Sequence, residues 1–312
     1  MGLFGKKKQS SSFSAALAKT SIAVEMRMKE TLGIQKLESM PVQAARAFQL
    51  ASDPKATLAD FVKIIESDEA LSARIIRIAN SVYFRRGEEV NDIAKAVASI
   101  GLNELRCLMS ATMLRSLLQG KHSAREQIWA NSVGTAICCR TLSRQTNLAE
   151  GEAFLAGLLH DVGKLIMIRK SAKQYDKVLS IVSSGAKTFV QAEEEVFDFS
   201  HVDVGKWVAE KWNFPAPAVA AIAFHHGAWP QQPEQKGKGT SHAILVKACD
   251  VISHACGIGH PPVFRPFRVR AEEEIHLAFE QLGLAGQDHS GMLEQFRKQF
   301  NDEFALYHVE NV

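Results

Sequence analysis

Leu155–Met167 reads LAGLLHDVGKLIM, and its interpretation decides the fold and the site together. An apolar run places Leu155, Leu158 and Leu159 at helical spacing and delivers an adjacent His160–Asp161 pair. The run then resumes beyond Gly163 and Lys164 with Leu165, Ile166 and Met167. An imidazole and a carboxylate set among leucines are costly unless satisfied, since a buried polar group without a partner costs roughly 1–3 kcal/mol and a bare charge more. A divalent metal or a hydrogen-bond network would meet that need. For an isolated dipeptide, a histidine that only caps or bonds a neighbouring helix would meet it as well, so other residues must separate these readings.

Composition narrows the field. The 312 residues are 46% hydrophobic and 23% charged, which is ordinary for a folded chain large enough to bury a sizeable core. A net charge of +3 gives no support to nucleic acid as a partner. Cys107, Cys138, Cys139, Cys249 and Cys256 are odd in number and form no Cys-x-x-Cys pair. That argues against disulfides and a zinc–thiolate cluster and fits a reducing cytoplasm. Every apolar stretch is interrupted before about 18 positions, so no membrane span is expected. The N-terminal segment, with Lys6–Lys8 beside Leu3 and Phe4, lacks the apolar run of a secretory signal and reads as a solvated tail.

Periodicity is helical almost throughout. Pro41 should open a helix, because the residue before a proline leaves helical geometry while proline itself tolerates the first turn. Thr57 with Asp60 approximates a capping box, and Leu58, Phe61, Val62 and Ile65 follow at i, i+3, i+4 and i+7. Gly101 suits a helix C-terminus. Leu117–Ser123 reads as a linker, with Trp129, Val133, Ala136 and Ile137 forming one face of the next helix and Asn131 offset from it. Asn147–Gly151 is expected to be a loop with a helix starting at Glu152, Ser200 an N-cap, and Pro230–Gly239 an exposed loop. His242–Ala255, Glu272–Leu284 and Met292–Tyr307 are expected to be helices. Strand signals are scarce, so the fold is predicted to be all-α.

Several blocks occur together in an order that resembles the HDOD proteins, the HD-related output domains of bacterial signalling. They are MPVQAARAFQLASDPKATLADFVKIIESD (40–68), DEALSARIIRIANSVYF (68–84), VNDIAKAVASIGLNELRCLM (90–109) and the His160–Asp161 segment. The resemblance runs from about Leu37 to about Asp250. It implies a helical bundle of HD-superfamily type, divided into an N-terminal tail and helix (1–30), an N-terminal helical subdomain (31–120), an HD-like helical subdomain (121–260) and a C-terminal extension (261–312).

The ionisable residues on apolar helical backgrounds in the second half are His160, Asp161, His201, His225, His226 and Asp250. Imidazoles and carboxylates in that mixture suit iron, manganese or zinc. Their order resembles the metal-ligand order of the HD superfamily, which normally begins with a further histidine on an earlier helix. Asn131 holds that place here, and its weaker carbonyl donor would impair the first metal position. The resemblance implies that His160, Asp161 and Asp250 face that position. Asp161 would bridge to a second one completed by His201, His225 and His226, and Lys164 would match the lysine that follows the HD pair. The metal-dependent HD-GYP phosphodiesterases continue their His-His with glutamate and a Gly-Tyr-Pro loop; His225–Pro230 reads HHGAWP instead. The expected function is therefore a signalling regulator without hydrolase activity, holding a metal or small ligand, a nucleotide being the candidate, and acting on signalling proteins. The alternative is a metal-dependent phosphohydrolase of nucleotides or cyclic dinucleotides. A metal-free polar network remains open for the six residues. His242, His254 and His260 fall off the pattern and read as surface or core histidines, and Trp207, Trp212 and Trp229 read as packing.

Overall fold

Capping and apolar spacing mark the helices before any packing is considered. Thr57 and Asp60 exchange side-chain and backbone bonds at the start of one helix, and Ser200 with Asp203 does the same at another, so two orphan backbone donors are satisfied at each. Thr188 with Gln191 forms a third such box. The computed structural model describes residues 22–34, 40–53, 55–118, 120–230, 241–259 and 265–308, and among them every regular element is helical. The N-terminal lysine cluster, residues 231–239 of the expected loop and His260 lie outside the described residues.

The first helices are α1 (Ile22–Thr31), α2 (Val42–Ser52), α3 (Leu58–Glu66), α4 (Glu69–Ala79), α5 (Ile93–Ile100) and α6 (Leu102–Leu117). Pro41 stands immediately before α2, as its fixed φ requires. Gly101, at φ +83, ends α5 and begins α6, a conformation that an L side chain strains to adopt. Then come α7 (Ala124–Ser143), α8 (Glu150–Leu159), α9 (Val162–Ser183), α10 (Phe189–Phe197), α11 (His201–Lys211), α12 (Ala216–Phe224) and α13 (His242–Ala255). The helix before the HD pair thus starts at Glu150, two residues earlier than expected. Helix α9 is interrupted at Ser171, whose φ of −142 and ψ of 54 are not helical.

Helix α7 packs along α8 and α13 at the centre, and Trp129, Val133, Ala136, Ile137 and Asn131 are all buried in it. Asn131, offset in sequence from the apolar face, is buried with it because α7 is enclosed on almost every side. Gly157 lets α8 lie close to it, since a Cβ there would come within 2.8 Å of the Ala136 Cα. The C-terminal residues fold back. Helix α14 (Arg265–Gln281) lies along α13, and α15 (His289–His308) packs on α6 and α7. Arg140 of α7 fixes α15 by bonding Glu303 at 2.6 Å and Glu104 at 2.5 Å from a buried position. No helix among the described residues is long and apolar enough to cross a membrane.

Candidate metal centre

The HD pair sits in a corner. α8 stops at Leu159 and α9 begins at Val162, so His160 and Asp161 form the junction instead of continuing one helix. The leucine spacing did not disclose that break. Gly163 explains how the corner meets its neighbours: a Cβ there would fall 1.9 Å from the His201 carbonyl oxygen, so the starts of α9 and α11 touch at backbone distance. His201 opens α11, His225 and His226 directly follow α12, and Asp250 projects from α13.

These residues converge. Asp161 Oδ1 lies 3.3 Å from His201 Nε2 and 3.6 Å from His225 Nε2, and His201 Nε2 is 3.1 Å from His226 Nε2. One donor atom from each of these four residues falls within 4.8 Å of all the others. His160 Nε2 stands 3.4 Å from both Asp161 Oδ2 and Asp250 Oδ1 on the other side. His160, Asp161, His201, His225 and Asp250 are buried, whereas His226 is exposed at the rim.

The outer ring nitrogens are already committed. His160 Nδ1 meets the Gly157 carbonyl at 2.7 Å, His225 Nδ1 the Ile222 carbonyl at 2.9 Å, and His201 Nδ1 the Glu193 carboxylate at 2.5 Å. A carbonyl only accepts, so Nδ1 carries the proton in His160 and His225, and a neutral ring then turns a bare Nε2 lone pair inward. Consistent with that, His160 Nε2, His225 Nε2 and Asp161 Oδ1 are buried without a hydrogen-bond partner. Ligand atoms 3.1–3.6 Å apart, Asp161 Oδ1 and His225 Nε2 among them unpaired, suit a set sharing one small divalent ion at roughly 2.0–2.2 Å. The donor set therefore fits a transition metal on Asp161, His201, His225 and His226.

The electrostatics divide the residues. Burial alone would raise the Asp161 carboxyl, but Lys164, whose Nζ donates to Oδ2 at 2.6 Å, and the surrounding imidazoles hold it well below the carboxylate range. Burial foremost, then Lys164, pushes His201 well below the ordinary imidazole range, and burial also lowers His225. His160 goes the other way: burial opposes its charge, yet the Asp161 and Asp250 carboxylates raise it.

Asn131 lies beside Asp250. Its Nδ2 donates to Asp250 Oδ1 at 2.9 Å, while its own Oδ1 is buried and unpaired. His254 is a correction to the sequence reading, because its Nε2 lies 3.2 Å from Asp250 Oδ1 and it borders the site. Sequence reasoning also missed Glu193 and Tyr175. Glu193 is fully buried, accepts the Tyr175 hydroxyl at 2.7 Å and the His201 backbone N–H at 2.8 Å, and thereby holds the His201 ring. A carboxylate behind a ligating histidine fixes its tautomer and raises its basicity.

A cleft of about 330 Å³ opens over the site, bordered by Lys164, Phe189, His226, Lys247, Arg270 and Glu274. Lys164 Nζ lies over the Phe189 ring and Lys247 Nζ over that of Trp229, both at 4.4 Å from the centroid. The Trp229 indole donates to Glu274 at 3.1 Å, and Lys247 donates to the Gly227 carbonyl. The segment after His226 is thus pinned under α14.

An all-helical bundle that gathers His-Asp, His, His-His and Asp around one pocket defines a protein of the HD type. The chain belongs to the HDOD family, whose domain model matches residues 37–228 and ends short of Asp250. It is 26% identical over 204 residues to an uncharacterized protein of Treponema pallidum, covering 65% of this chain and 39% of that longer one. Among solved structures, an HDOD domain protein of unknown function from Geobacter sulfurreducens superposes with a TM-score of 0.68 at 25% identity, over 91% of this chain and 96% of that one. A candidate signal transduction protein from Marinobacter aquaeolei VT8 gives 0.65 at 19% identity, over 96% of this chain and 64% of that one.

Proposed function

We propose that this HDOD chain is a cytoplasmic signalling regulator that holds a divalent transition metal, iron, manganese or zinc, and acts through protein partners without hydrolysing a substrate. Asp161, His201, His225 and His226 hold the ion, while His160 and Asp250 belong to a disabled first position. The observation that carries this reading is the convergence of four ligand atoms on one side, Asp161 Oδ1 and His225 Nε2 among them unpaired, set against the Asp250 carboxylate already engaged by Asn131 and His254. The divided architecture read from the sequence, with the HD-like part spanning 121–260, is part of the proposal. Five free cysteines, all buried, suit a reducing compartment. The likeness to the Marinobacter protein supports a signalling role, and the cleft offers room for a small ligand at the lower end of the range that binds such molecules.

The second reading, a metal-dependent phosphohydrolase, is favoured by one feature, the intact four-donor cluster lying directly beneath an open cleft. A divalent ion there supplies Lewis acidity and acidifies bound water. Elemental analysis of purified protein, followed by nucleotide, cyclic dinucleotide and phosphomonoester substrates with added manganese or iron, separates the two. About one ion per chain with no turnover is the expected result. Metal-dependent turnover abolished by Asp161→Asn overturns the regulator reading, and a metal-free protein that takes up none of the three ions overturns the site.

A further inference from the structure

Away from the metal centre, α7 and α15 turn stripes of the same spacing toward each other. Cys138, Thr141, Leu142 and Gln145 stand at i, i+3, i+4 and i+7 along α7 and just past its end, and Met292, Gln295, Phe296 and Gln299 repeat that spacing on α15. Helices with such faces ordinarily pack side chain into groove, yet here the two stripes line a pocket of about 170 Å³. Ile252 of α13 and Phe279 of α14 complete its wall.

Polar ties on both flanks keep the walls apart. The Thr141 hydroxyl donates to Gln299 Oε1 at 3.2 Å and Arg140 donates to Glu303 at 2.6 Å, which fixes α15 to α7. At the other flank Arg297 Nε donates to the Cys256 carbonyl at 3.4 Å and the Cys256 thiol to the Leu293 carbonyl at 3.6 Å, which fixes α15 to the end of α13. Phe279 is stacked on His289 with ring centroids 4.1 Å apart, so its ring is kept from swinging into the space.

The lining states what fits. Its floor, Cys138, Leu142, Ile252, Phe279 and Phe296, is buried and apolar, and no charged side chain borders the pocket. Two phenyl rings with the sulfur atoms of Met292 and Cys138 favour an aromatic ring over an aliphatic chain. An apolar cavity of about 150 Å³ takes one benzene ring. At the mouth Gln145 and Gln295 are exposed, and among the described residues no hydrogen bond from a protein group holds either amide, so each offers a donor and an acceptor.

We propose that this pocket binds a small neutral aromatic molecule, its single ring seated between Leu142, Phe279 and Phe296 and a hydrogen-bonding substituent turned to Gln145 and Gln295. The site is distinct from the metal cleft: α13 separates them, with Ile252 on the pocket side and Asp250, Val251 and His254 on the cleft side.

The test is titration of the full chain with benzene, phenol and benzoate, read by thermal unfolding and calorimetry. Benzene and phenol should each give a saturable stabilisation, phenol at the lower concentration because its hydroxyl meets the amides. Benzoate, the same ring with a charge, should bind about tenfold more weakly than phenol or worse, because a lining without a cation does not offset the desolvation of its carboxylate. Cys138→Leu adds bulk to the floor and should abolish the phenol response with its helical circular dichroism retained. Should that variant not fold, Gln295→Ala, at an exposed position, should bring the phenol affinity down to that of benzene. Asp161→Asn should keep the full phenol response, which separates this site from the metal centre. The absence of a saturable response to benzene and phenol overturns the proposal, as does benzoate binding as tightly as phenol, or a phenol response that neither pocket variant alters.

Discussion

Glu193→Gln isolates the buried carboxylate behind His201. Glu193 receives the Tyr175 hydroxyl on one oxygen and both the backbone N–H and ring of His201 on the other, with no exposure to water. Burial foremost drives its carboxyl up from 4.5 to about 7, against the pull of Lys164. At about 1.4 kcal/mol per pKa unit, a rise of about 2.5 units corresponds to about 3 kcal/mol. The folded chain holds this proton more tightly than the unfolded one, so the contribution is complete below about pH 4.5 and is lost as pH climbs through about 7. Urea unfolding of the metal-free wild type should therefore lose about 3 kcal/mol from this group between pH 5 and 8, a loss absent from Glu193→Gln. The same carboxylate orients the His201 lone pair, and removing such a partner weakens metal binding about ten- to a hundredfold, or about 1.4–2.7 kcal/mol. At pH 8 the variant should thus be the more stable apoprotein and the poorer metal binder, as read by competition against a chromogenic chelator. Equal metal affinity together with an unchanged pH slope would refute the assignment of Glu193 as the group that positions His201.

Other substitutions probe the remaining parts. Asn131→His should restore a donor beside His160 and Asp250 and raise the metal content from about one to about two ions per chain by elemental analysis; an unchanged content would mean that His254 or the Gly259 backbone, packed against Asn131, keeps the position closed. Gly163→Ala would set a methyl 1.9 Å from the His201 carbonyl, so a loss above about 4 kcal/mol, or failure to fold, is expected in chemical denaturation. Arg140→Met strands Glu303, with which it shares a buried 2.6 Å pair, and should cost about 3–5 kcal/mol. A loss under about 1 kcal/mol would show that α15 is not anchored there.

Much of this arrangement was legible before any coordinates. His160–Asp161, His201, His225–His226 and Asp250, grouped from their order, do come together, and capping chemistry at Thr57 and Ser200 placed two helix starts. The corner at Asp161 was not legible, because leucine periodicity runs up to it through Gly157 and resumes beyond it with no proline between; Gly163 alone hinted at the close approach of the two helix starts. Glu193 hid in a run of three glutamates that reads as a solvated face. A signal was present nonetheless, since Phe189, Glu193 and Phe197 share an i, i+4, i+8 stripe whose outer members are apolar. His254 stands one turn after Asp250, the spacing of an imidazole–carboxylate pair on one helix, and that relation should have brought it into the site.

The placement of the donors gives the proposed metal a role that needs no turnover. His160, Asp161, His201, His225 and His226 all lie at or beside helix ends, so the geometry of the centre is set by how α8, α9, α11 and α12 abut and not by any one of them. An ion held by such residues favours one arrangement of those helices over others, and by thermodynamic reciprocity whatever favours that arrangement tightens the ion to the same degree. The segment after His226 extends this coupling outward through Trp229 bonded to Glu274 and Gln281 bonded to the Pro230 carbonyl, which join the donor cluster to α14. A small ligand seated between Lys247 and Arg270 would bear on the same connection. Hydrolysis in the two-metal scheme asks for two occupied positions and a free face for substrate, whereas a sensor asks only that one occupied position be linked to a movable wall. On the proposed reading, the Asn131–Asp250 bond leaves the former requirement unmet and the latter in place.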